Sequence, residues 1–64
     1  MKFAELRKQR GLSQRKLAAA SGAFKSTIIG IESGTIKIEN ITLKKAKGIA
    51  DALGVTMEEL LKLD

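Results

Sequence analysis

Apolar residues recur every three or four positions along most of the chain, and this spacing predicts five short helices. Pro is absent and β-branched residues are mostly scattered, which also favours helix over strand. The predicted helices cover residues 2–10, 14–20, 25–33, 43–53 and 57–61. We therefore expect a compact all-α fold of five helices, with residues 1–64 forming one domain.

Hydroxyl residues mark the starts of several predicted helices. Ser13 and Thr42 each precede a helix, where the hydroxyl can accept a hydrogen bond from a first-turn amide. Thr56 and Glu59 have the spacing of a capping box, in which each side chain satisfies the other residue's amide. Gly48, inside the fourth predicted helix, lowers its stability by about 1 kcal/mol relative to Ala.

Residues 35–41 connect the third and fourth predicted helices. Ile36 and Ile38 alternate with charged residues, which is typical of a strand, but a single strand has no partner to pair with. We expect a loop that places one or two of its isoleucines on the core.

Composition excludes several classes of protein. Because the 64 residues include neither Cys nor His, the chain lacks the commonest metal ligands, catalytic base and nucleophile, and we expect neither an enzyme nor a cofactor. Two Phe are too few for the stacking platforms of single-strand binders. No apolar run approaches the roughly 20 residues of a membrane span, so we expect a soluble cytoplasmic protein with no membrane partner. No small-molecule ligand is evident.

The positive charge lies in one half of the chain. Residues 1–32 carry seven basic and two acidic side chains, whereas residues 33–64 carry five of each. This asymmetry accounts for the whole net charge of +5 and favours a polyanionic partner, above all double-stranded DNA. A solvated, solubilising surface accounts for the charge equally well.

The second and third predicted helices form a characteristic pair. Their lengths are typical of a helix-turn-helix: seven helical residues, a turn at 21–23 that contains Gly22, and nine further helical residues. Ala18 is small where the two helices would cross, and Ile28 and Ile31 are spaced to pack on the core.

On these residues the sequence resembles the phage repressor/Cro, or xenobiotic-response-element, family of helix-turn-helix regulators. The resemblance implies a lambda-repressor-like fold and a sequence-specific, repressor-like transcriptional regulator. In the phage repressors, the helix that corresponds to residues 25–33 enters the major groove, and the preceding helix crosses the DNA backbone. The matching segments are RGLSQ at residues 10–14, LA at 17–18, SG at 21–22, STI at 26–28, IE at 31–32 and IADALGV at 49–55.

The resemblance also implies roles for individual residues. Gln14 corresponds to a Gln that contacts a phosphate or a base edge. Lys25, Ser26 and Thr27 occupy the first turn of the recognition helix, where Lys25 would contact either guanine or a phosphate. For each of these residues, an ordinary solvated side chain is the alternative.

Further phosphate contacts are predicted at three basic positions. Arg15 and Lys16 directly follow Gln14, and Lys37 lies in the loop after the recognition helix. Arg7 and Glu32 resemble an internal ion pair that bridges the first and third helices, and we expect this pair to be structural.

Several positions depart from the family pattern. Ile29 and Gly30 stand where the family usually carries polar base-reading side chains; Ile29 can contact a thymine methyl but cannot hydrogen-bond, and Gly30 reads nothing. Phe24 replaces the expected hydroxyl cap. We expect Phe24, Ile29, Ile36 and Ile38 to form an apolar patch, which leaves a second hypothesis open: a helix-turn-helix scaffold whose recognition face binds protein, with weak or no DNA binding.

The last predicted helix is unusually apolar for its length. It would expose more hydrophobic surface than a single chain can bury, which predicts a homodimer through the C-terminal helix. The residues concerned are Met57, Leu60, Leu61 and Leu63.

Overall fold

The computed structural model describes residues 2–63 and contains five α-helices with no strand in that range. A short 3₁₀ turn, Ile38–Asn40, lies between the third and fourth helices. The all-α prediction is confirmed, and each predicted bound lies within one residue of the observed one. The helices are α1 (Lys2–Gln9), α2 (Gln14–Ser21), α3 (Lys25–Ser33), α4 (Leu43–Leu53) and α5 (Met57–Leu61).

Side-chain caps begin three of these helices. The hydroxyls of Ser13 and Thr42 accept hydrogen bonds from the amides three residues later, at 3.0 and 3.3 Å. The predicted capping box of α5 is present, with Thr56 and Glu59 bonded in both directions at 3.1 Å. The backbone N–H of Thr56 and then its hydroxyl hold the pKa of the Glu59 carboxyl below its usual value. α3 has no such bond, because Phe24 is its N-cap.

The core lies where the inner faces of all five helices meet. α2 packs against both α3 and α4, α1 contacts α3, and α5 covers α4 and the 3₁₀ turn. The predicted apolar stripes therefore face one another, and their burial provides most of the stabilisation. Leu43 is an exception, because helical spacing predicts it on the stripe of α4 and its side chain is 76% exposed. The large side chains that are fully buried are Phe3, Leu17, Ile28, Ile31, Ile49, Leu53 and Leu60.

α2 and α4 approach closely at Gly48. A Cβ added there would lie 3.1 Å from the carbonyl carbon of Ser21 and closer still to its oxygen. Ser21 is the last residue of α2, so its backbone occupies the space that a side chain at position 48 would need. Gly48 lowers the helix propensity of α4, but it also permits a close contact between α2 and α4 that a larger residue would block.

The loop after α3 folds back onto the core. Ile38 is buried, with 5% of its surface exposed, and Ile36 and Ile41 pack against the core while remaining partly exposed. The prediction that this segment is a loop with isoleucines on the core is confirmed.

Candidate nucleic-acid interface

α3 has one buried side and one open side. Ile28 and Ile31 have no exposed surface and anchor the inner side to the core. Thr27 is half-buried at the edge, so of the three first-turn residues predicted to read DNA, two are fully open to an approaching ligand. The exposed residues of the outward side are Lys25, Ser26, Ile29 and Ser33.

A tight turn sets α3 against α2. Gly22 ends α2 with a φ of 75°, a left-handed conformation that favours glycine, and the amide of Ala23 donates to the carbonyl of Ala18 at 3.1 Å. The side chain of Ala18 is buried. A small residue there allows α2 and α3 to pack closely, which leaves the outward side of α3 projecting from the domain.

Arg7 and Glu32 are in contact and tie α3 to α1. Nε of Arg7 donates to Oε2 of Glu32 at 2.5 Å, and a second guanidinium nitrogen donates to Oε1 at 3.2 Å. The remaining nitrogen donates to the carbonyl of Leu12 at 2.7 Å. Both side chains are largely buried, with 9% and 12% of their surfaces exposed. This bidentate arrangement fixes the angle at which α3 leaves the core.

Gln14 joins the same network. Its Nε2 donates to Oε1 of Glu32 at 3.1 Å, and the side chain is half-buried. The side chain that the resemblance assigns to DNA is thus also bonded inside the protein, and through Glu32 it connects the start of α2 to the last turn of α3.

Four cations that the sequence analysis assigned to DNA are exposed. They are Arg15 and Lys16 in the first turn of α2, Lys25 at the start of α3, and Lys37 before the 3₁₀ turn. Among residues 2–63, Arg7 and Glu32 form the one ion pair closer than 4.0 Å, so no described carboxylate neutralises these four side chains. Their charge is available to a polyanion.

An open cleft of about 440 Å³ runs beside α3, between the loop and the start of α4. Sequence reasoning did not assign it, although the cap at Thr42 marks a helix start that faces solvent. Lys45 lines it, and Nζ of Lys45 lies 5.0 Å from the centroid of the exposed Phe24 ring. Five of the seven lining residues carry a hydroxyl, amide or ammonium group that can donate to phosphate, although more of the exposed lining surface is apolar than polar. The lining residues are Thr27, Thr35, Ile36, Asn40, Ile41, Thr42 and Lys45.

Gly30 is buried, so the position at which the family usually carries a base-reading side chain is covered in this chain. A Cβ added there would be 2.5 Å from Cδ1 of Ile36 and 2.7 Å from its Cγ1. The amide of Ile36 also donates to the carbonyl of Gly30 at 3.0 Å. The loop has folded over this part of α3 and covers the helix backbone with an isoleucine side chain.

The expected four-residue apolar patch is smaller than predicted. Ile38 belongs to the core and Ile36 is half-buried, whereas Phe24 and Ile29 are 69% and 43% exposed. The patch is smaller because the loop buries Ile38 in the core and leaves only part of Ile36 at the surface. The apolar residues of the last helix also differ in exposure, because Leu60 is fully buried whereas Leu61 is 49% exposed and available for a contact between copies of the chain.

Other kinds of site find little support in the part of the chain that the structure describes. Residues 2–63 contain no cluster of acidic side chains that could hold a metal ion. None of the helices in this range combines the length and apolar character needed to cross a bilayer.

The geometry of α2, the turn and α3 defines a helix-turn-helix domain. Residues 3–60 match the family model described as helix-turn-helix, of the Cro/C1 type, and the chain belongs to this family. The family consists of DNA-binding regulatory domains that are not typically enzymes. No curated protein and no solved structure matches the chain.

Proposed function

We propose that this protein is a sequence-specific transcriptional regulator, repressor-like in action, that places α3 in the major groove of double-stranded DNA. The observation that carries the proposal is the outward side of α3, which begins with the exposed Lys25 and Ser26 and is flanked by cations without carboxylate partners. The geometry follows that of the phage repressors, in which the first residues of the recognition helix contact base edges.

The surrounding side chains divide between the DNA backbone and the bases. Arg15, Lys16 and Lys37 are suited to phosphates because they are exposed, flexible and cationic. Lys25 and Ser26 reach base edges or phosphates from the first turn of α3. Gln14 adds a contact at the start of α2 while its amide stays bonded to Glu32.

The cleft beside α3 extends this surface toward α4. Thr27, Thr42 and Lys45 line it, and their hydroxyl and ammonium groups donate hydrogen bonds. Because Thr27 of α3 lines this cleft, a DNA strand bound along α3 would lie close to it. Lys45 is therefore a proposed phosphate contact in addition to those assigned from the sequence.

A salt titration with random duplex tests the proposal. Four phosphate contacts, or five if Lys25 also contacts a phosphate, predict a log–log slope of affinity against salt of roughly −3.5 to −4.5 per monomer, because each contact releases about 0.9 of a counterion. Lys25→Ala should weaken binding and reduce the slope by about 1. Lys62→Ala, which removes a cation at the end of α5, is the matched control and should leave the slope unchanged. Binding that is absent, or insensitive to salt, would contradict DNA as the ligand.

The second hypothesis, protein binding, retains one observation in its favour. Phe24 and Ile29 expose large apolar surfaces at the end and centre of the recognition face. Ile29→Lys separates the two hypotheses, since it adds a cation to this face and removes an apolar contact. Tighter binding to DNA supports the DNA-binding function, whereas loss of an oligomer without any gain on DNA supports protein binding.

We also propose a homodimer through the face formed by α5, the start of α4 and the 3₁₀ turn. Leu43 and Leu61 are 76% and 49% exposed there, beside a groove of about 280 Å³ whose lining includes Ile41, Ala46 and Met57. A two-fold contact would present two recognition helices to one side of the DNA, about 34 Å apart as in phage repressors.

Sedimentation equilibrium tests this dimer. We expect a concentration-dependent dimer that Leu61→Glu converts to a monomer, because a buried carboxylate without a partner opposes association. The thermal midpoint of the monomer should change little, since Leu61 is half exposed. A parent protein that remains monomeric up to about millimolar concentration, where association is worth only about 4 kcal/mol, would contradict the proposal.

A further inference from the structure

Two isoleucines flank Ser26 on the recognition face. Ile29 is three residues after Ser26 and Gly30 is four residues after it, so both positions neighbour Ser26 on the helix surface. Ile29 is exposed. At position 30 the loop supplies the side chain that the helix lacks, because Ile36 fills the space that a Cβ on Gly30 would occupy.

Ile36 is held in this place by the backbone. Its amide donates to the carbonyl of Gly30 at 3.0 Å, and its side chain is half-buried, so it is fixed against α3 while still reaching the surface of the open cleft. The next polar side chain along the face, Ser33, is already bonded to the Gly30 carbonyl at 3.1 Å and to Thr35 at 2.9 Å. The two side chains that neighbour Ser26 on this face, Ile29 and Ile36, are therefore both apolar.

In the major groove, an apolar surface has one specific partner. Thymine carries a methyl group at C5, which projects into the groove, and 5-methylcytosine carries the same group at the same ring position. We propose that Ile29 and Ile36 are specificity-determining residues that contact C5-methyl groups of pyrimidines. The inference rests on the proposed DNA binding. It assigns sequence discrimination to the methyl contacts of Ile29 and Ile36, whereas Lys25 and Ser26 supply the polar contacts of the same face.

The experiment uses the full chain and a duplex selected from a random pool for tight binding. Each thymine is replaced in turn by deoxyuridine, which lacks only the methyl group. At a contacted position this change should weaken binding about fourfold, the factor that corresponds to one buried methyl group. At the same position, a 5-methylcytosine–guanine pair should bind about fourfold more tightly than a cytosine–guanine pair.

Variants of the two isoleucines test which of them contacts each methyl group. Ile29→Ser and Ile36→Ser, which remove every side-chain methyl group, should each bring the thymine-to-deoxyuridine ratio to about one at a different position, without changing the slope against salt. Ile29 is exposed, so its variant keeps the proposal testable if Ile36→Ser unfolds the loop, which circular dichroism would reveal. Lys62→Ala, the control of the salt titration, lies at the end of α5 and should preserve the ratio.

The outcomes separate the two proposals. Salt-dependent binding with equal affinity for thymine and deoxyuridine at every position overturns methyl reading and leaves DNA binding intact. Discrimination that persists in both isoleucine variants overturns the assignment to these residues. Absence of salt-dependent binding overturns both proposals.

Discussion

Gly48→Ala is expected to destabilise the fold strongly, although alanine is the better helix former. The new methyl group would overlap the backbone carbonyl of Ser21, and a backbone cannot swing aside as a side chain does. Relieving the overlap requires α2 and α4 to separate, which disrupts packing around Leu17 and Ile49. Overpacking of this kind costs roughly 1–3 kcal/mol or more, against a gain of about 1 kcal/mol in helix propensity.

We expect a net loss of about 1–2 kcal/mol, which in a domain of this size lowers the thermal midpoint by roughly 5–15 °C. Thermal unfolding followed by circular dichroism measures it. Gly30→Ala is the comparison variant, because the same change in α3 overlaps only side-chain atoms of Ile36, which can turn about χ1, and it should therefore lower the midpoint less than Gly48→Ala does. If Gly48→Ala is as stable as the parent, the close contact between α2 and α4 is absent.

Features coded by neighbouring residues could be predicted from the sequence. Ser13, Thr42 and Thr56 mark helix starts because the hydroxyl and the amide that it accepts from are three residues apart. The apolar stripes of α2, α3 and α4 are equally local, since helical periodicity alone brings their members to one side. The order of helices and the buried side of each follow from these signals.

Contacts between distant segments left no such signal. Gly48 was interpreted only through helix propensity, and nothing in its own helix indicates that the end of α2 would lie against it. Arg10 donates from Nε to the carbonyl of Leu53 at 2.8 Å and joins α1 to the end of α4, yet the two residues are far apart in sequence. Such contacts depend on how complete helices pack, which local patterns do not determine.

The same distinction between local signals and contacts of distant segments applies to the candidate site. The charge asymmetry and the resemblance indicated Arg15, Lys16 and Lys25, and all three are exposed; their contacts with DNA remain predictions. The burial of Gly30 was missed because it depends on the loop folding back so that Ile36 covers it. The sequence predicted a loop with isoleucines on the core, but it did not indicate that Ile36 would lie against Gly30 of α3.

Arg7→Ala is expected to have the largest effect of any single substitution proposed for this protein. It removes three hydrogen bonds and leaves Glu32, whose side chain is 12% exposed, with Gln14 as its remaining side-chain partner. Removing one partner of a buried ion pair lowers the free energy of unfolding by roughly 3–5 kcal/mol, because the remaining charged side chain has neither water nor its partner around it. For a domain of this length the total free energy of unfolding is of order 3–10 kcal/mol.

The variant should therefore be largely unfolded, or melt at least about 15 °C below the parent. Lys8→Ala, which removes the exposed cation next in sequence, is the matched control and should change the midpoint by no more than a few degrees. Arg7→Met combined with Glu32→Leu should recover much of the loss, because an apolar pair of similar volume leaves no charge stranded. This double variant separates the effect of the pair on stability from its effect on the orientation of α3. Without the bidentate contact and the bond from Gln14, α3 is free to tilt. Affinity for DNA should therefore remain reduced even when the thermal midpoint is restored. An Arg7→Ala variant that melts with the Lys8→Ala control would mean that this pair does not hold α3 in place.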